Sequence, residues 1–204
     1  MKRNHFNWCT MLLILSNIVT FGWQVLLFPD PFSANQLVQE GAMLGTLHPI
    51  HWSRFFTNFF LHIGVQHLLS NMLSLYFMGQ IVENTLGKVR FLIIYMISGL
   101  SGSIAVYLLQ PTAVTAGASS AIFGLMGALL VLVFMNRDLA RMLGSWVFMT
   151  IAYNLYYTFV DHHISTFGHL GGFIGGIVIT LLVSVTITKN QPVTYKIDKN
   201  RTWS

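Results

Sequence analysis

Five side chains could do chemistry in a chain that otherwise offers little for it: Ser119, His169, His67, Asn71 and His62. A serine brought next to a histidine makes a nucleophile with its general base. His67 and Asn71 are four residues apart, so on a helix they share one face and could donate together to a developing oxyanion. His62 lies five residues before His67, and the three could be read as metal ligands. No cysteine or carboxylate joins them and the spacing matches no ligand pattern, so no metal and no cofactor is expected. All five sit in strongly apolar stretches, where ionisable groups are costly and usually functional.

The elements that must position them are membrane helices. Of 204 residues, 54% are apolar and only 8% are charged, with 11 Lys+Arg against 6 Asp+Glu. A soluble domain carries about 25% charge. Mean hydropathy is +0.63. These values exclude a soluble globular protein and also disorder, which needs low hydrophobicity. The lone Cys9 cannot form an internal disulfide. The chain therefore reads as an all-α membrane protein with one domain over 1–190 and a polar cytoplasmic tail over 191–204.

A helix needs about 20 apolar residues to cross a bilayer. Six continuous stretches qualify: roughly Cys9–Phe28, Phe59–Val82, Phe91–Leu109, Gly117–Met135, Met142–Val160 and Phe167–Ile187. The first has Lys2 and Arg3 ahead of it like a signal sequence, but it is long and lacks a clear cleavage site, so it reads as a retained helix. A six-span count puts Lys2, Arg3, Lys88, Arg90, Arg137, Arg141, Lys189, Lys196, Lys199 and Arg201 on one side and only Arg54 on the other. The positive-inside rule then places both termini in the cytoplasm. It also accounts for the basic pI of about 9.6 without a nucleic-acid partner. The outer loop 29–58 is long and contains Phe32, Leu37, Val38, Met43, Leu44 and Trp52, so it is expected to pack on the bundle or dip into the outer leaflet.

Counting outward from the cytoplasmic charges gives depth. Ser119 lies 18 residues from Arg137 and His169 lies 20 from Lys189, which puts both about 27–30 Å up their helices. His67 falls about 24–32 Å up its own, counted from Glu83 and Lys88. Three helices thus bring polar groups to one level under the outer surface. Gly168, Gly172 and Gly176 are spaced by four in the last span, as are Ala116, Ser120, Gly124 and Ala128 in the fourth. Small residues at this spacing let two backbones approach closely. Facing stripes would bring Ser119 to His169.

These residues resemble the rhomboid intramembrane serine proteases. Gly117-Ala118-Ser119 looks like the family's GxS motif heading the fourth helix. Gly168-His169-Leu170-Gly171-Gly172 looks like its histidine motif in the sixth, with Gly172 and Gly176 as packing glycines. His67-Leu68-Leu69-Ser70-Asn71 looks like its HxxxN motif in the second. His62, Arg54 and Glu83 also fall at family positions, with Glu83 just beyond the second helix. The resemblance covers about Trp52–Gly176. It implies a six-transmembrane-helix bundle with the active site at that outer level, and the small size and lack of a transit peptide point to a bacterial plasma membrane. Its substrates would be membrane proteins cleaved in or near transmembrane segments that contain small or helix-destabilising residues.

The expected roles are Ser119 as nucleophile and His169 as general base, then general acid. His67, Asn71 and the Ser119 backbone N–H form the oxyanion hole. Phe123, one turn below Ser119, orients His169 by stacking or simply fills the core. His62 and Gln66 line a hydrated cavity with His67 and Asn71, or His62 ties down the outer loop. Arg54 and Glu83 bond loop backbone. Ser120 stands where relatives carry glycine and points about 100° away from Ser119. Asp161 is a remote candidate for a third catalytic member; His162 and His163 have no assigned role. The aromatic outer end of the fifth span (Tyr153, Tyr156, Tyr157, Phe159) would gate against the second, or form an interfacial belt. Two other functions compete: an inactive rhomboid-like adaptor that binds membrane helices, and a small transporter. The first usually lacks the serine or the histidine; the second would show repeats and mid-membrane charges. The oligomeric state is open.

Overall fold

The computed structural model describes residues 7–49, 51–160 and 165–190, with only the backbone of 185–190. The described residues form eight helices: α1 Trp8–Leu27, α2 Ala34–Glu40, α3 Arg54–Thr57, α4 Val65–Leu86, α5 Lys88–Leu109, α6 Ser119–Met135, α7 Arg137–Val160 and α8 Thr166–Asn190. Among them no strand forms beyond one antiparallel bridge, Met43–Thr115. Six helices are long and two are short. By length and composition α1, α5 and the described part of α8 can each cross a membrane, and α6 is a shorter apolar helix. Lys2, Arg3, Asp161, His162, His163, the tail 191–204 and the Lys189 side chain lie outside the described residues or side chains.

α6 is the axis of the bundle. It is apolar around its whole circumference, as a helix enclosed by others must be. Ala121 to Leu129 and Val131 to Val133 are buried. Leu75 of α4, Ile94 and Tyr95 of α5, and Leu125 and Leu129 of α6 belong to one core cluster, all at 2% exposure or less. α8 packs on α6 and α5 through glycine. A Cβ on Gly176 would strike the Gly124 backbone, and one on Gly172 would strike the Ser120 carbonyl. The small stripes therefore do face each other, backbone against backbone. α7 packs on α6 and α8, while among the described residues its backbone does not come close to that of α4.

Direction alternates along the bundle. Glu83, near the end of α4, meets the start of α1: its carboxylate accepts from Thr10 N–H (2.9 Å), Thr10 Oγ1–H (2.7 Å) and Cys9 N–H (3.2 Å). α1 has no acidic residue in its own first turn. The N–H groups of Cys9 and Thr10 and the positive end of the helix dipole are met instead from α4. Glu83 is thus inside α4, one turn from its end, and it bonds a helix terminus; the expectation of a position beyond the helix that bonds loop backbone is corrected.

Two boundaries also differ from the hydropathy reading. α4 begins at Val65, six residues later than the span expected from Phe59, so His62 lies on the irregular entry rather than in a helix. The cause is Gly64, whose φ of +144° is left-handed and ends any helical run entering from Phe59. α7 begins at Arg137, because Asn136 Oδ1 accepts from Asp138 N–H (2.9 Å) and Leu139 N–H (3.0 Å) and caps the helix there.

The long loop between α1 and α4 is ordered by its own signals. Ser33 Oγ accepts from Gln36 N–H (3.4 Å), and Gly41 in the left-handed region ends α2. Leu37 packs with Ala42 and Leu61, while Met43 and Phe55 pack on Val106 of α5. Trp52 stays 72% exposed. Arg54 binds the loop from inside: Nη1 donates to the carbonyls of Val38 and Ala42, the latter at 2.8 Å. The loop lies on the bundle in the way its apolar content suggests.

Gly176→Ala pushes a methyl group into the Gly124 backbone. Overpacking of this kind should cost about 1–3 kcal/mol, read as a lower midpoint in thermal or SDS-induced unfolding. An unchanged midpoint would contradict the close α6–α8 contact.

Candidate active site

One end of the bundle gathers the polar residues. The turn before α6 is pinned first. Gly117 N–H donates to the Asn58 carbonyl (2.8 Å), and Asn58 is buried and donates to Ser103 Oγ (3.0 Å). Gly117 has φ +136°, and a Cβ there would sit 2.6 Å from Cε1 of His67. Only glycine satisfies both constraints. The His67 ring therefore lies on the Gly117 backbone, and the next turn begins α6 at Ser119. The N–H of Ser119 has no intrahelical partner because it opens the helix.

His67 and Asn71 stand one turn apart on α4. Asn71 is buried and donates from Nδ2 to the His67 carbonyl (3.0 Å), which leaves its second amide hydrogen uncommitted to that bond. His67 Nδ1 is buried without a partner. Its ring meets that of His62 at 5.2 Å.

His169 is buried near the start of α8. Its ring stacks on Phe123, with centroids 4.0 Å apart and planes 20° apart. Phe123 is one turn along α6 from Ser119, so the imidazole lies over the face of α6 that Ser119 heads. His169 Nδ1 is 2.9 Å from Thr158 Oγ1 on α7. Ser120 points elsewhere: its Oγ lies where Cβ atoms on Gly102 of α5 and Gly168 of α8 would come within 2.7 and 3.2 Å.

His62 is fully buried and thus does not hydrate an open wall, while Gln66 is exposed. The holder of His62 is Gln24, a buried amide near the end of α1. Gln24 Oε1 accepts from His62 N–H (3.0 Å), and its Nε2 donates to the Glu40 carboxylate (2.9 Å) and the His62 carbonyl (3.4 Å). The sequence reading passed over Gln24, Glu40 and Thr158. The signal was available for Gln24 and Thr158, as hydrogen-bonding side chains inside apolar spans. For Glu40 nothing local marks the contact.

The fold and site together define a polytopic helical membrane protein with a serine, two histidines and an asparagine gathered at one end of its bundle. The rhomboid domain matches residues 49–186, more than half of the chain, and the chain belongs to the rhomboid family. It is 44% identical over 143 residues to the rhomboid protease GluP of Bacillus subtilis (strain 168), covering 70% of this chain and 26% of that protein. It is 37% identical over 133 residues to the putative rhomboid protease YdcA of the same organism, covering 64% of this chain and 67% of that one. RHOMBOID-like protein 1 of Arabidopsis thaliana is 41% identical over 131 residues, 62% of this chain and 33% of its own length. The chain thus spans about a quarter of GluP and a third of the plant relative.

Burial raises the Glu40 carboxyl above the usual carboxylate range, and the amides of Gln24 and Gln36 offset this only in part. An acid whose folded pKa is raised gives full stability below its unfolded pKa. It loses stability as pH rises from there through the folded value. Glu40→Gln should therefore lessen the fall in melting temperature across that window. An identical pH slope in wild type and variant would contradict the buried contact.

Proposed function

We propose that the chain is an intramembrane serine peptidase that cleaves membrane proteins in or near their transmembrane segments. The observation that carries this is the stack of His169 on Phe123, one turn below Ser119, with α6 and α8 in glycine-mediated backbone contact. The relatives named as proteases support it.

In this reading Ser119 Oγ attacks the scissile carbonyl carbon while Nε2 of His169 takes its proton. The resulting oxyanion accepts from the Ser119 N–H at the positive end of α6 and from His67 and Asn71. Nε2 then returns the proton to the leaving amine as the C–N bond breaks. Water attacks the acyl-enzyme with the same base.

A peptide bond inside a helix is already hydrogen-bonded and shielded. Substrates therefore need small or helix-destabilising residues that let the segment unwind. The side of the bundle between α4 and α7, whose backbones do not approach each other, is the proposed entrance. The basic residues at the opposite end, Lys88, Arg90, Arg137 and Arg141, support a plasma-membrane orientation with both termini cytoplasmic and the site toward the outer face.

Cleavage of a model membrane-spanning substrate by purified protein tests this. Ser119→Ala and His169→Ala should abolish it, and Ser120→Ala should not. Loss with Ser120→Ala alone would move the nucleophile, and full activity in Ser119→Ala would overturn the mechanism. An inert wild type across several substrates would favour the adaptor. His67→Ala or Asn71→Ala should lower kcat about 10²–10³-fold with a smaller change in KM, as for an oxyanion donor. An effect confined to KM would remove them from the oxyanion hole.

A further inference from the structure

A dyad base must hold its proton on the correct nitrogen, and among the described residues no carboxylate meets His169. What meets it is Thr158, which is 1% exposed near the end of α7. The hydroxyl of Thr158 has one hydrogen and two close neighbours. Asn154 O lies 2.8 Å away and His169 Nδ1 lies 2.9 Å away. A carbonyl oxygen can only accept, so a contact of 2.8 Å with it requires the hydroxyl to donate there. Turning the hydrogen toward Nδ1 would set two lone-pair-bearing oxygens against each other at that distance. With its hydrogen committed to Asn154, Oγ1 can only accept from the imidazole, so Nδ1 carries the proton and Nε2 is free.

From this geometry we infer that Thr158 is a positioning residue that fixes His169 as its Nδ1–H tautomer, the form that presents a basic Nε2 to Ser119. The inference rests on the serine-peptidase reading of the site. During acylation the Ser119 proton goes to Nε2, and the Nδ1–H bond to Thr158 persists in the imidazolium. When Nε2 gives its proton to the leaving amine, the imidazole returns to its starting tautomer. The neutral hydroxyl has the place that a carboxylate holds in a catalytic triad, with the same effect on tautomer but without the charge. Phe123 fixes the plane of the ring and Thr158 fixes its rotation within that plane.

The arrangement also ties catalysis to α7. The Thr158 carbonyl accepts from Thr166 Oγ1 (3.2 Å), so one residue of α7 holds both the first residue of α8 and the ring of His169. A displacement of the outer end of α7 large enough to separate these groups releases the tautomer.

The test uses the full chain purified in detergent, with 15N-labelled histidine and Ser119→Ala, His169→Ala, Thr158→Val and Thr158→Ser variants. The His169 nitrogens of the wild type should show protonated Nδ1 and bare Nε2. Thr158→Val keeps the shape but cannot accept; it should give a mixed tautomer and a kcat roughly 10–100-fold lower at unchanged KM. Thr158→Ser should restore both readouts. A wild type with the proton on Nε2 overturns the inference whatever the variants do, and so does a folded Thr158→Val with wild-type kcat and spectrum. The tautomer is read without turnover. Failure of the peptidase reading therefore shows separately, as a wild type that cleaves nothing or a Ser119→Ala that still cleaves.

Discussion

Gly172 and Gly176 of α8 lie directly on the backbone of α6 at Ser120 and Gly124, and the placement of the polar site depends on that contact. In a bilayer, two apolar helices gain nothing by leaving lipid for each other except better packing and whatever hydrogen bonds they make. Glycine permits the approach and forbids alternatives, since any side chain at these positions meets main-chain atoms that cannot turn away. The contact sets the rotation and height of α8 relative to α6. With those fixed, His169 has one place to be, against Phe123 on the face that Ser119 heads. Ser120, which shares the turn, is used up between α5 and α8.

Around this contact the chain is held by buried polar ties in places where apolar packing alone would leave freedom. Glu83 caps α1 across the bundle, Arg54 gathers the carbonyls of Val38 and Ala42, and Gln24 joins the entry of α4 to the end of α2. Each satisfies backbone or carboxylate groups that lipid or protein would otherwise leave unpaired, at high cost in a low-dielectric setting. Gln24 also connects the loop between α1 and α4 to the site: it holds the His62 backbone, His62 meets the ring of His67, and His67 rests on Gly117 two residues before Ser119.

Much of this was legible in the sequence, and the reasons differ by element. The long helices are visible because a membrane segment must be apolar over its whole length. The common level of Ser119, His169 and His67 followed from counting residues between charges and polar groups. The stripe spacing in α6 and α8 told which faces meet. The entry to α4 was misread because Phe59, Phe60 and Leu61 are apolar without being helical; hydropathy reports burial, and only Gly64 marks the break. The cap on Asn136 was hidden by treating charged residues as loop. Partners such as Thr10 for Glu83, Glu40 for Gln24 and Thr158 for His169 are 73, 16 and 11 residues apart and sit on different helices. Their types advertise a need for a hydrogen bond, while the identity of the partner comes only from the packed bundle.

The central claim is that α6 and α8 present Ser119, and no other serine, to the basic nitrogen of His169. The most direct measurement is to treat the folded protein with a serine-reactive fluorophosphonate and locate the adduct by peptide mass spectrometry in wild type and in His169→Ala. The account predicts an adduct on Ser119 that is lost in His169→Ala. An adduct on Ser120, or labelling of Ser119 that is indifferent to His169, would contradict it.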